Sequence, residues 1–205
     1  MTARLALVLD PATPPPTVHA LLQFAAGMGA ELSARLLEDQ RLLFWAALPF
    51  TREVLTIAPA LRSLDDVAMA RALGRAASAC RQLLEAAAVA ARLPLQIETV
   101  RGDPAQELAR AMEDADVVVG STAGKGRKPA VTVVCRAARV LAIYDALLAV
   151  PGEFGGALSL VVLNHTGEAA AAALDELRHR ARHARLQVLH AAATEDLTAL
   201  LRSLG

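Results

Sequence analysis

The stretch that decides the fold is Gly102-Asp-Pro-Ala-Gln-Glu-Leu-Ala-Arg-Ala-Met-Glu-Asp-Ala-Asp-Val-Val-Val-Gly-Ser121. Gly102 begins a turn, Asp103 stands where a helix cap belongs, and Pro104 occupies the first helical position, where a missing N–H costs nothing. Gln106, three residues past Asp103, completes a capping box. The predicted helix ends near Asp114. Asp116-Val-Val-Val-Gly120 is then a short strand of β-branched residues, apolar on both faces. Upstream, Leu95–Val100 is another strand. Strand, capped helix and doubly buried strand make a βαβ unit, which builds a parallel sheet covered on both faces.

The same rhythm extends outward. Leu5–Leu9 is a strand closed by Asp10-Pro11, and Thr13-Pro-Pro-Pro16 is a rigid loop with Thr17 as helix cap. Val18, Leu21, Leu22, Ala25 and Ala26 recur at helical spacing, and Gly29 ends that helix. Glu31–Leu37 is a strand with Leu32, Ala34 and Leu36 on one buried face. A helix capped by Ser63 runs to about Arg92 and stops at Pro94. Val131–Ala138 reads as helix, with strand as the alternative because of its β-branched run, and Arg139–Tyr144 as strand. Beyond a turn at Gly152–Gly156 come strand Leu158–Leu163, helix Glu168–His183, strand Leu186–His190 and helix Thr194–Leu204.

The fold class is therefore α/β: a Rossmann-like open parallel sheet with helices on both faces over residues 1–150, and a C-terminal βαβα extension over 151–205. That extension is either a truncated second copy or a continuation of one sheet. Residues 39–62 break the rhythm. Leu42-Leu-Phe-Trp-Ala-Ala-Leu48 is apolar all round, and is expected to pack beneath the domain, with an exposed patch for a partner as the alternative.

Composition narrows the function. The 205 residues are 55% hydrophobic and 20% charged, which excludes a disordered chain. Aromatics are only 3%, too few for a base-stacking platform, and 21 bases against 21 acids leave no charge to hold a polyanion, so no nucleic acid is expected. The N-terminal apolar run reaches Asp10 after five residues, too short for a signal-peptide core. No apolar stretch approaches the ~20 residues of a membrane span, so no membrane is expected and the expected compartment is the cytoplasm. Cys80 and Cys135 read as buried free thiols. His179 and His183 have a metal-ligand spacing but stand among Arg178, Arg180, Arg182 and Arg185, which repel a cation; no metal site is assigned. No nucleophile–base–acid set is assembled by spacing, so no catalytic residue is assigned.

Ligands of open parallel sheets sit beyond the carboxyl ends of strands, near the reversal of strand order. Asp10, Gly102-Asp103 and Gly120–Lys128 fall there. The strongest signal is Gly120-Ser-Thr-Ala-Gly-Lys-Gly-Arg-Lys128, which holds the only two lysines of the chain. Its backbone N–H groups suit an anion nest, with a helix N-terminus expected behind the loop. The candidate ligand residues are Asp10, Gly120, Ser121, Gly124, Lys125, Gly126, Arg127 and Lys128.

Four segments resemble the universal stress protein family: Leu5-Ala-Leu-Val-Leu-Asp10, Leu21–Glu38, Gly102-Asp-Pro-Ala-Gln-Glu-Leu108 and Ala115-Asp-Val-Val-Val-Gly-Ser121. The likeness covers about residues 4–145. It implies a five-stranded parallel sheet of order 3-2-1-4-5, dimerisation through the fifth strand and, in one branch, ATP bound by the strand-one acid and a Gly-x2-Gly-x9-Gly-Ser/Thr pattern. Asp10 matches the acid and Gly120 the first glycine. The second glycine position is Ala123, Gly124 comes one place late, and the closing pair is absent, so the loop is shortened. The resemblance implies a non-enzymatic stress-related or regulatory homodimer with an adenine nucleotide or another phosphate-bearing ligand. The alternatives are an interaction module that has lost nucleotide binding and a weak nucleotide hydrolase.

Overall fold

Arg4–Leu9 forms β1, the strand around which the sheet is laid down. Leu5, Leu7 and Leu9 point into one core, and Ala6 and Val8 into a second on the opposite face, so β1 is buried from both sides. The computed structural model describes residues 3–48, 52–54, 61–63, 66–122, 130–150, 158–163, 168–181, 186–191 and 194–204. In chain order the further elements are α1 (Pro15–Met28), β2 (Glu31–Asp39), α2 (Gln40–Ala46), β3 (Arg52–Val54), β4 (Leu61–Ser63), α3 (Asp66–Ala91), β5 (Leu95–Gly102), α4 (Pro104–Asp114), β6 (Val117–Thr122), β7 (Ala130–Arg136), α5 (Val140–Ala149), β8 (Leu158–Leu163), α6 (Glu168–Ala181), β9 (Leu186–Ala191) and α7 (Thr194–Leu204).

One seven-stranded sheet has the order β5-β2-β1-β6-β7-β8-β9, and β3 and β4 pair separately as an antiparallel ribbon. In order of appearance, the first four strands of the large sheet stand 3-2-1-4, as expected, and are mutually parallel. β7 pairs with β6 antiparallel, and β8 and β9 then continue parallel to β7. The sheet is thus two parallel blocks joined back to back, and residues 158–191 extend it. Helices α1, α3, α5 and α6 contribute to the core on one face, and α4 and α7 to the core on the other. Side chains such as Leu7, Leu21, Leu36, Leu160 and Leu197 are fully enclosed, each worth ~1.5–3 kcal/mol of burial.

Local chemistry explains the elements. Asp103 caps α4, its carboxylate accepting from the N–H groups of Ala105 (3.1 Å) and Gln106 (3.2 Å). Gly29 closes α1 in the left-handed conformation, φ 57°, which glycine enters without a Cβ clash. The arrangement corrects three sequence expectations. Residues 131–136 are strand and residues 140–149 helix, the reverse of the helix at 131–138 and strand at 139–144. The run Val131-Thr-Val-Val134 favours an extended chain, whereas the buried Val140, Ile143, Tyr144 and Leu147 recur at i, i+3, i+4 and i+7. Thr17 is not a cap: Pro14 holds that position and Thr17 is buried inside α1. Ser63 belongs to β4, and α3 begins at Asp66.

The apolar 42–48 segment is also corrected. It forms α2, in which only Ala46 is buried, while Phe44 is 64% and Trp45 49% exposed. Among the described residues no helix is long and apolar enough to cross a membrane.

Candidate functional site

The carboxyl ends of β5, β2, β1 and β6 share one edge of the sheet, formed by Gly102, Asp39, Leu9–Asp10 and Ser121–Thr122. The strand order reverses between β1 and β6: from β1 the chain steps outward to β2 and β5, then returns to place β6 on the other side. Neighbouring crossovers leave in opposite directions there, the arrangement beside which open parallel sheets bind their ligands. Asp10 and Ser121 meet at that switch point, joined by the Asp10 N–H donating to the Ser121 carbonyl at 3.0 Å.

Asp10 builds its own turn. Its carboxylate Oδ1 accepts the Ala12 N–H at 2.7 Å, and its carbonyl accepts the Thr13 N–H at 2.9 Å. That turn brings the Thr13 hydroxyl to the Ser121 hydroxyl, 3.3 Å apart. Both residues are almost wholly buried, at 5% and 2% exposure. The switch point thus holds a buried hydroxyl pair beside a carboxylate. From α3, Cys80 feels that carboxylate: burial pushes its thiol up to about 11, and the negative charge of Asp10 adds to the shift.

Two expected phosphate-binding features take a different form. Residues 120–122 end β6, and the next described element is the strand β7 rather than the expected helix. Of the helices that start at this edge, α1 is the one that follows Asp10, and it opens with Pro14, Pro15 and Pro16. Proline has no N–H, so the first three of the helix's usual free donors are missing. Gly120 has a packing role: a Cβ there would lie 2.7 and 2.9 Å from the δ-carbons of Leu108, which α4 presses onto β6. Gly124, Lys125, Gly126, Arg127 and Lys128 lie outside the described residues. The residues flanking that segment, Thr122 and Ala130, pair with each other at the carboxyl edge beside Ser121.

Further along the same edge, charge pairs fix the ends of β2 and β5. Buried Glu38 accepts from Arg101 Nε at 2.6 Å. Asp39 caps α2 through the Arg41 N–H and takes the Arg41 guanidinium with both oxygens, which raises the pKa of Arg41 through that hydrogen bond. Arg202 at the end of α7 reaches Asp103 at 3.8 Å, placing the chain's last helix against the cap of α4. Sequence reasoning placed Asp10, Gly120 and Ser121 at this edge and missed Thr13. Its position three residues beyond a strand-ending acid was the available signal.

Fold and site together define an α/β protein with a strand-order switch point in its first parallel block. No protein-family model and no curated protein matches the sequence. Among solved structures the chain is similar to that of a universal stress protein in complex with cAMP, at 14% identity, over 94% of this chain and 99% of that one, with a TM-score of 0.28.

Proposed function

We propose that this chain is a non-enzymatic, cytoplasmic regulatory or stress-related protein of universal-stress-protein type. Its ligand is an adenine nucleotide or another phosphate-bearing molecule, bound in the crevice between Asp10 and Ser121. The observation that carries this reading is the reversal of strand order between β1 and β6, with the Thr13–Ser121 hydroxyl pair on its floor. The Asp10 carboxylate and the two hydroxyls suit the polar edge of a base or ribose. With the α1 N-terminus proline-blocked, phosphate charge falls to Lys125, Arg127 and Lys128 and to the N–H groups of Gly124 and Gly126. The functional unit is a homodimer.

Calorimetry with ATP and ADP tests this. Saturable binding is expected, weakened by several kcal/mol in the variant carrying Lys125→Ala, Arg127→Ala and Lys128→Ala, since each charge-assisted hydrogen bond is worth ~1.5–3 kcal/mol. Unchanged affinity in that variant refutes the assignment. Absence of binding at millimolar nucleotide favours a second reading, an interaction module without a nucleotide, which the exposed Phe44 and Trp45 on α2 support. Phosphate release above background indicates hydrolysis instead.

A further inference from the structure

The long helix α3 rises above the carboxyl edge of the first block. Its 26 residues span ~39 Å at ~1.5 Å per residue, against ~26 Å for the eight-residue β5 to which it leads. Cys80, midway along it, is buried and close enough to Asp10 to feel that charge. Cys80 therefore stands level with the strand ends. The chain descends through α3 from the carboxyl end of β2 to the amino end of β5, so residues 66–76 lie above the edge. None of these residues is buried. The short helix α2 packs against α3.

Register places α2 beside the switch point. Leu9 of β1 pairs with Leu36 of β2, so Asp10 is level with Leu37, two residues below Asp39, the cap of α2. At ~4.8 Å between strands and ~3.3 Å per residue, Asp10 and Asp39 are ~8 Å apart. Phe44 follows five residues along a helix, which keeps its Cα within ~17 Å of that of Asp10. The start of α2 is fixed, because Asp39 accepts the Arg41 N–H at 2.9 Å and takes the Arg41 guanidinium with both oxygens. Ala46 is the buried residue of α2. Phe44, two residues earlier, is ~200° away round the helix and so on the side opposite the packed one. Of the six large apolar side chains exposed among the described residues, Leu42, Phe44 and Trp45 are on this one short helix. Scattered exposed apolar residues need no explanation, but a cluster marks a contact site.

We propose that α2 is the base-binding wall of the switch-point site, with the adenine ring stacked on Phe44 and the ribose hydroxyls at Asp10. The inference rests on the nucleotide reading above and adds to it the residue that selects a base. An exposed aromatic face near a carboxylate and two hydroxyls suits a ligand with one flat apolar end and one polar end. Aromatic side chains stack on bases through their π-faces, whatever the hydrogen-bonding edge of the base. Phe44 thus supplies affinity for the ring, and Asp10 orients the sugar.

Trp45, the only tryptophan of the chain, stands next to Phe44 and reports on it. The test titrates ADP into the full-length protein and follows Trp45 emission and calorimetric heat together. A saturable change in emission is expected, with the calorimetric midpoint, and Trp45 should be shielded from iodide quenching at saturation. Phe44→Ala, which removes an exposed ring and leaves the core untouched, should weaken ADP about tenfold. Calorimetric binding of ADP that leaves emission and iodide access unaltered overturns the proposal while the nucleotide reading stands. So does unchanged ADP affinity in the Phe44→Ala protein. Absence of calorimetric binding at millimolar ADP overturns both. Emission that changes with protein concentration alone means that a second copy covers α2, and it too overturns the proposal.

Discussion

The two parallel blocks of the sheet are built from the same parts and differ in one respect, the order of their strands. In β5-β2-β1-β6 the chain steps outward and then returns, so the strand order reverses between β1 and β6. In β7-β8-β9 it steps outward only, and no reversal occurs. Both blocks have buried strands and covering helices, yet only the first contains a reversal of strand order, the arrangement beside which open parallel sheets bind ligands. A ligand crevice is thus a property of connectivity rather than of composition. The antiparallel β6–β7 joint adds a second consequence: the carboxyl ends of the two blocks point to opposite edges, so at the switch-point edge the second block presents amino ends, such as Ala130 of β7.

The second block is nevertheless structural to the first. β8 pairs with β7 over six residues, α7 packs on α4, and Arg202 reaches Asp103. Removing residues 151–205 uncovers Val134 and the α4 face, and is the severest break. The truncated protein is expected to aggregate or to lose cooperative melting, as followed by size-exclusion chromatography and circular dichroism. A soluble, monomeric 1–150 protein as heat-stable as the full chain would make the second block an appendage.

If the blocks form one cooperative unit, cavities in either should lower a single melting transition. Leu36→Ala in the first block and Leu197→Ala in the second each remove a fully buried leucine, at an expected cost of ~2–5 kcal/mol. Two separated transitions in either variant would divide the molecule at β6–β7.

Alkaline titration sharpens the comparison, because each block holds one buried thiol. Burial pushes Cys80 up to about 11, with Asp10 adding to it, and pushes Cys135 up to about 12. Both raised values mean that the fold keeps a neutral thiol which the unfolded chain ionises near pH 9. Stability is fully present below pH 9 and is lost as pH rises through 11 and 12. At ~1.4 kcal/mol per pH unit, the loss is of the order of a few kcal/mol. Cys135→Ala and Cys80→Ala should each flatten part of that decline in denaturant melts at pH 8–12, Cys135→Ala the more.

Gly120→Ala is the mildest of these changes. The new methyl meets the Leu108 δ-carbons, and ~1–3 kcal/mol of destabilisation is expected from overpacking. The variant Leu108→Ala with Gly120→Ala should recover part of the loss due to the glycine substitution. Absence of recovery would mean that Gly120 is required for something other than this contact.

Most of the first block was legible because its signals are local and mutually consistent. Asp103-Pro104 fixes a helix start, Gly29 a helix end, and Leu32, Ala34 and Leu36 a strand face. The joint between the blocks was misread because 131–149 is one nearly continuous apolar run, in which strand and helix are equally buried. The four-residue spacing within Val140–Leu147 was the deciding clue. The antiparallel turn at β6–β7 has no local signature at all, since direction depends on which edge the returning chain meets. Asp10 and Ser121 were legible as strand ends. The exposure of Phe44 and Trp45 was not, since an apolar run does not say which side of it is covered.

The central claim is that the switch-point crevice of the first block is where the ligand binds. Backbone amide shifts recorded during ATP and ADP titrations test it most directly. The account predicts saturable shifts concentrated at Asp10, Thr13, Gly120, Ser121 and Lys125–Lys128, with β8 and β9 silent. Saturable shifts centred on β8 and β9, or on the amino edge around Arg4 and Glu31, would contradict it.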